Sequence, residues 1–303
     1  MMTILGALLP IFLIIGLGAA IKRINIVPDT AWVGMERITY FIFFPAFLFR
    51  ALADAHFGGF HVWPLAFTLL SGIIAMAIIM MVIRKPLGIT GQEYSSVFQG
   101  GVRWNAFVAV AVLQGLFGEV GTTLAAVAFA AMVPLVNTLC VTVLTRHASP
   151  GTSRAMVVKS VARNPLVLAC AAGIAAQVVS LQVPGPIDMT LKLLADASVT
   201  LGLFTVGAGL DFGSLKDHPR LLGVAGVLKL FVMPLLMLGF CMLYGVHGPA
   251  RAVAVVAGAV PTATNAYILA RQLGGHAPLM ANIVTSTTIA ALLTMPFMVW
   301  LLT

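Results

Sequence analysis

The chain has 303 residues, of which 60% are hydrophobic and only 9% charged, and its mean hydropathy is +1.06. Soluble domains carry roughly 25% charged residues, so 17 Lys+Arg and 9 Asp+Glu side chains cannot coat a water-soluble body of this size. Lipid is the expected solvent for most of the surface, and the net charge of +8, scattered over short connections, does not form a nucleic-acid-binding stripe.

At about 20 apolar residues per crossing, the sequence predicts ten membrane helices. The runs are 3–21, 32–51, 62–83, 95–117, 120–144, 164–182, 190–210, 221–245, 251–271 and 279–302. The first follows no basic leader and precedes no small-residue cleavage site, so it reads as a retained helix. Lys22-Arg23 with Pro28, Gly58-Gly59, Arg84-Lys85-Pro86, Pro184-Gly185-Pro186 and His247-Gly248-Pro249 punctuate the connections. Cys140, Cys170 and Cys241 lie far apart in apolar runs, without metal-ligand or disulfide spacing.

Basic residues divide unequally between the two sides. Alternate connections, beginning after the first run, hold Lys22, Arg23, Arg84, Lys85, Arg146, Arg154, Lys159, Arg163, Lys216, Arg220 and Arg271, eleven in all. The opposite connections hold three: Arg50, Lys192 and Arg251. The richer side is expected to be cytoplasmic, which places both termini outside the inner membrane. The connection from Thr145 to Arg163 is the longest and most basic. It divides the chain into a first five-helix unit (1–145), a linker (146–163) and a second five-helix unit (164–303). An odd number of spans per half sends the second half into the membrane in the opposite sense, the arithmetic of an inverted repeat. Both halves carry Asn-Ala-aromatic within their fourth run: Asn105-Ala106-Phe107 and Asn265-Ala266-Tyr267.

These two runs also carry the residues most suited to chemistry. The ninth has Pro261 at its middle, flanked by Thr262, Thr264 and Asn265; proline removes a backbone donor and crowds the carbonyl one turn back. The fourth has Gly100-Gly101, then Arg103 and Asn105. Interruptions at matching places in two halves point to a substrate-binding region, as against ordinary kinks and packing glycines. Arg103 is either a counter-ion for an anionic substrate or a structural residue, paired with Glu36 or another acid or snorkelling to the cytoplasmic face. Asn137, three residues after Pro134, either lines the same cavity or bonds a neighbouring helix. Lys229 is expected to snorkel towards an interface, with a coupling role as the alternative. Lys192 and Asp196, one turn apart, are expected to pair, or Asp196 to act as a titrating or cation-binding carboxylate. Glu36 reads as interfacial.

Enzyme signatures are absent: the six histidines (His56, His61, His147, His218, His247, His276) show no H-E-x-x-H spacing, and no G-x-S-x-G or Walker A stretch occurs. No cofactor and no metal site is expected.

The stretches Tyr40–Phe49 (YFIFFPAFLF), Phe98–Phe107 (FQGGVRWNAF), Pro134–Asn137, Arg163-Asn164-Pro165-Leu166, Lys229–Leu235 (KLFVMPL) and Ala259–Ala266 (AVPTATNA), in this order over essentially the whole chain, resemble the auxin efflux carrier family. The resemblance implies an all-α membrane protein of ten helices in two inverted five-helix repeats, with helices four and nine broken and crossing. It implies elevator-type movement and a small carboxylate bound beside the crossing. Arg103, Asn105, Asn137, Pro261, Thr262 and Asn265 then fall at the substrate site. Plant-type members have a proline in both crossing helices, and the fourth run here has none; the plant long forms also carry a large hydrophilic central loop, which is short here. A small organic acid is therefore expected before auxin itself. The partners that this reading admits are the substrate, the bilayer, a proton or sodium ion and a second copy in a homodimer. Its rivals are a cation-coupled carrier of the bile-acid-symporter type and an intramembrane enzyme lacking a recognisable site.

The topology is open to test. In a cysteine-free background, Thr152→Cys should resist an impermeant thiol reagent in intact cells and react after permeabilisation; labelling of intact cells would reverse the assignment.

Overall fold

In hydrocarbon the backbone must satisfy its own polar groups, and this chain does so with α-helices. The computed structural model describes residues 2–55, 62–148, 162–213, 215 and 217–302, and among them there is no β-strand. Most of the 146–163 linker, with Arg154 and Lys159, lies outside the described residues, as do His56, Gly58-Gly59, His61 and Lys216.

Helix α1 is Met2–Arg23 and α2 is Asp29–Ile38, the short turn between them closed by the Lys22–Asp29 ion pair. A π-helical turn, Thr39–Phe43, joins α2 to α3 (Phe44–Ala53). Then come α4 (Val62–Leu87), α5 (Gly91–Val102), α6 (Ala106–His147), α7 (Pro165–Val178) and α8 (Gly185–Ala208). A second π turn, Leu228–Val232, joins α9 (Pro219–Val227) to α10 (Met233–Leu243). The chain ends with α11 (Gly248–Ala259), α12 (Asn265–Gln272) and α13 (Ala277–Leu302). Both π turns sit immediately before a proline at the second position of the next helix, Pro45 and Pro234. Proline cannot donate to the carbonyl four residues back; the preceding residue donates five back instead, Phe44 N–H to Thr39 and Met233 N–H to Leu228.

Seven helical stretches among the described residues are long and apolar enough to cross a membrane: Ile4–Arg23, Asp29–Ala53, Val62–Leu87, Gly91–His147, Gly185–Ala208, Pro219–Leu243 and Ala277–Leu302. Pro165–Val178 and Gly248–Ala259 are apolar but shorter. The fourth and fifth sequence runs form one stretch, Gly91–His147, interrupted at Arg103–Asn105 and kinked at Gly118, whose φ of +56° and ψ of −132° favour glycine.

The helices gather into two groups. A panel contains α1, α2–α3, α7 and α8, with α1 along α8 and α3 against both α7 and α8. A larger bundle contains α4, α5–α6, α9–α10, α11–α12 and α13. Glycines let backbones meet inside each group. A methyl on Gly18 would run into the carbonyl of Phe204, one on Gly207 into that of Ile15, and one on Gly173 would lie 2.7 Å from that of Phe49. The Arg50 guanidinium bridges α3 to α8 through Asp188 at 3.0 Å. In the bundle, a methyl on Gly258 would lie 2.8 Å from Pro234 Cα.

Gly207→Ala should lower the panel's stability by about 1–3 kcal/mol, the range for overpacking. Gly16→Ala, which meets nothing within 4 Å, should leave it unchanged. Thermal unfolding of both variants in detergent checks the contrast.

Candidate substrate site

Each broken helix stops for a local reason. Helix α11 ends because Val260 precedes Pro261, whose ring pushes that residue out of helical geometry; Val260 adopts φ −63° and ψ 151°. Helix α5 ends without a proline. Gly100-Gly101 weakens its last turn, Arg103 turns extended at φ −77° and ψ 142°, and Asn105 starts α6 by accepting the Val108 N–H on its side-chain oxygen at 3.3 Å.

The two interruptions lie against each other and exchange the polar groups that they release. Asn105 N–H donates to the Pro261 carbonyl at 2.9 Å, and Thr262 hydroxyl donates to the Gly100 carbonyl at 2.8 Å. Thr262 N–H in turn reaches the Thr287 hydroxyl on α13 at 3.3 Å. Thr262 is fully buried and Asn105 nearly so. The crossing is thus stitched by backbone and hydroxyl bonds, and the N-terminal ends of α6 and α12, with their partial positive charge, both begin there.

Arg103 lies at this crossing, 5% exposed. Its guanidinium donates to Asn265 Oδ1 at 2.9 Å and to Asn137 Oδ1 at 3.0 Å. Among the described residues its Nε–H has no partner, and neither has the Asn105 side-chain nitrogen, although both are buried. Among the described residues Arg103 forms no ion pair. Of the two sequence readings of this residue, the pair with Glu36 is not formed.

A cavity opens beside Arg103 at the seam between panel and bundle. The bundle contributes Arg103, Trp104, Asn105, Phe129, Asn137 and Asn265 among others. The panel contributes Glu36, Thr39, Tyr40 and Phe44 from the α2–α3 helix, Asn164 and Leu166 at the head of α7, and Thr205 of α8. Asn164 also caps α7 by accepting Leu166 N–H at 2.9 Å. Tyr40 and Arg103 line the same cavity from opposite sides of the seam. Phe44 packs against Phe107 and Phe129, with centroids 4.7 and 5.2 Å apart, and gives the cavity an aromatic wall.

The structure therefore brings Arg103, Asn105, Asn137, Pro261, Thr262 and Asn265 together, the first three and Asn265 as lining and the other two as the stitch behind it. Three sequence expectations are corrected. Glu36 is not merely interfacial, because it lines this cavity. Lys229 does not snorkel: it is fully buried in the second π turn, its ammonium without a hydrogen-bond partner. Lys192 and Asp196 are both exposed and form no ion pair among the described residues. Asp196 instead lines a separate crevice between α1, α6 and α8, away from Arg103. Tyr40, Asn164 and Thr205 were missed as lining residues, and Thr264 was read only as a polar neighbour of Pro261; Tyr40, Asn164 and Thr264 lay inside the stretches that carry the family resemblance, which was the available signal.

An all-helical chain with long apolar spans and two helix breaks meeting at a buried, unpaired cation defines a membrane protein built around an internal polar site. The family model for "Membrane transport protein" matches residues 3–299, and the chain belongs to that family, the auxin efflux carriers. The family is one of membrane transport proteins. A protein of Rhizobium meliloti (strain 1021) named "Putative malonate transporter" is 29% identical over 147 residues, 48% of this chain and 46% of that one. The chain is thus matched over about half the length of that curated relative.

Thr262→Val should cost about 1–3 kcal/mol by leaving the Gly100 carbonyl unsatisfied. Thr262→Ser, which keeps the hydroxyl, should recover most of it. Melting temperatures of the two variants decide this; equal values would mean that the hydroxyl does not hold the crossing.

Proposed function

We propose that this chain is a secondary transporter of small organic anions, mono- or dicarboxylates, that binds them at the crossing of its two broken helices. The observation that carries the reading is Arg103: a buried guanidinium with no ion-pair partner among the described residues, held in place by two neutral asparagine oxygens. A buried arginine without a counter-charge is costly. A substrate carboxylate would supply that charge, taking the free Nε–H of Arg103 and the free amide of Asn105. The positive ends of α6 and α12 add to the attraction. Malonate, the solute in the name of the Rhizobium meliloti relative, is the first candidate.

The fold reading beneath this is ten crossings in two inverted repeats, 1–145 and 164–303, with the 146–163 linker and its Lys and Arg residues on the cytoplasmic side of the inner membrane and both termini outside. Its support is the placement of the elements: each half contributes two runs to the panel and three to the bundle, and each contributes one broken helix to the crossing. The same division supports elevator-type alternating access. Contacts inside the panel press glycine against backbone, which leaves no room for sliding. At the seam, by contrast, the ring of Phe107 rests on Gly202, and side chains of this kind can change partners as the bundle moves. A proton or sodium ion is the candidate coupling partner, and a homodimer is the candidate assembly.

Arg103→Gln should weaken malonate binding at least a hundredfold while shifting the melting temperature little, because no acid is stranded by the change. Arg103→Lys should recover part of the affinity, since an ammonium lacks the planar two-bond contact. Calorimetric affinity and melting temperature on the same purified variants test this; unchanged affinity in Arg103→Gln would end the substrate role.

A further inference from the structure

The cavity's hydrogen-bonding inventory is lopsided in a way that bears on the charge state of its ligand. At the crossing end, donors outnumber acceptors: Arg103 Nε–H and the Asn105 amide have no partner, while the Asn137 and Asn265 side-chain oxygens are already taken by Arg103. On the panel side, Glu36 stands one turn before Tyr40 on the same helix, both lining the cavity. The Glu36 carboxylate has no hydrogen-bond or ion-pair partner among the described residues. Among the described residues, Glu36, Tyr40 and Arg103 are the only titratable side chains in the lining; Thr39, Asn164 and Thr205 complete the polar groups on the panel side.

A ligand that fits both ends presents a carboxylate to Arg103 and Asn105 and a hydrogen-bond donor to Glu36. A fully ionised dicarboxylate does not, because its second carboxylate would face the Glu36 carboxylate in a cavity where water screens little; two such groups hold one proton between them. We infer that the site binds a dicarboxylate together with one proton, shared between the ligand's distal carboxyl and Glu36, so that the bound species carries a net charge of minus one. This rests on the organic-anion reading above and refines it. If the complex moves as a unit, each dicarboxylate crosses with a proton, and no separate coupling ion is needed for the two to be linked. The only bond that changes is the carboxyl O–H: a proton from solvent forms it on one side, and it breaks when the proton returns to solvent on the other.

The test uses the full-length protein, purified in detergent, and three ligands of similar length. Malonate has two carboxyls, 3-hydroxypropionate has one carboxylate and a hydroxyl donor, and β-alanine has one carboxylate and an ammonium. Above the second ionisation of malonate, its affinity should fall about tenfold per pH unit, the slope for uptake of one proton. The affinity of 3-hydroxypropionate should change less than threefold over the same range. In Glu36→Gln, whose amide can donate to a second carboxylate, malonate binding should lose its pH dependence while the melting temperature stays near that of the parent. Malonate binding in the parent that is flat with pH, or strengthens as pH rises, overturns the shared proton. A pH slope that persists in Glu36→Gln overturns the assignment to Glu36. Tighter binding of β-alanine than of either acid overturns the inference as well, since the acidic end would then take an ammonium. Failure of all three ligands to bind at any pH overturns the organic-anion reading itself, an outcome distinct from the others.

Discussion

In hydrocarbon a helix can stop only where something else takes up the amides and carbonyls that it releases, because no water is present to do so. This chain stops two helices in its interior, and each supplies the other's missing partners. The Asn105 amide and the Pro261 carbonyl bond across the gap, as do the Thr262 hydroxyl and the Gly100 carbonyl. The crossing is thereby a joint rather than a defect. Its position dictates much else: α6 and α12 must begin there, their positive ends must converge there, and the side chains that follow the breaks must point into the space between them.

That arrangement makes an arginine tolerable where it would otherwise be expelled. Arg103 is surrounded by neutral oxygens, which hold its orientation without cancelling its charge. An acid in place of Asn137 or Asn265 would stabilise the empty protein and leave nothing for a substrate to neutralise. The choice of amide over carboxylate at these two positions keeps the charge available. Lys229 makes a contrast, since it is buried as deeply but away from the cavity lining, with no partner for its ammonium.

Much of this was legible in the sequence because the signals were local. Pro261 announces a break by its chemistry, and the matching Asn-Ala-aromatic triplets mark the two places that meet. The break in the fourth run was harder to read, since it rests on Gly100-Gly101 and on Asn105 acting as a cap rather than on a proline. What failed was anything set by rotation about a helix axis. Glu36 looked interfacial from its depth alone, and Lys229 looked able to reach an interface; which face each presents depends on the π turns, and no residue pattern declares a π turn in advance. Lys192 and Asp196 have the spacing of a pair without its contact, since a one-turn separation only permits an ion pair.

The first π turn has a geometric consequence for recognition. A regular α-helix turns about 100° per residue, so side chains four apart drift about 40° around its axis and those eight apart about 80°. Through the π turn the helix is unwound, and the drift is largely cancelled. Glu36, Tyr40 and Phe44, spaced by four and four, all face the cavity, lined up as one column from carboxylate to phenol to ring. Their alignment is a property of helical phase rather than of any single residue. Removing Phe41 or Ile42 would turn the carboxylate and the phenol away from Phe44 while leaving every side chain of the column intact. Along this wall, ligand preference is written in two registers: the identities of three side chains, and one extra residue in the thread that sets which way they look.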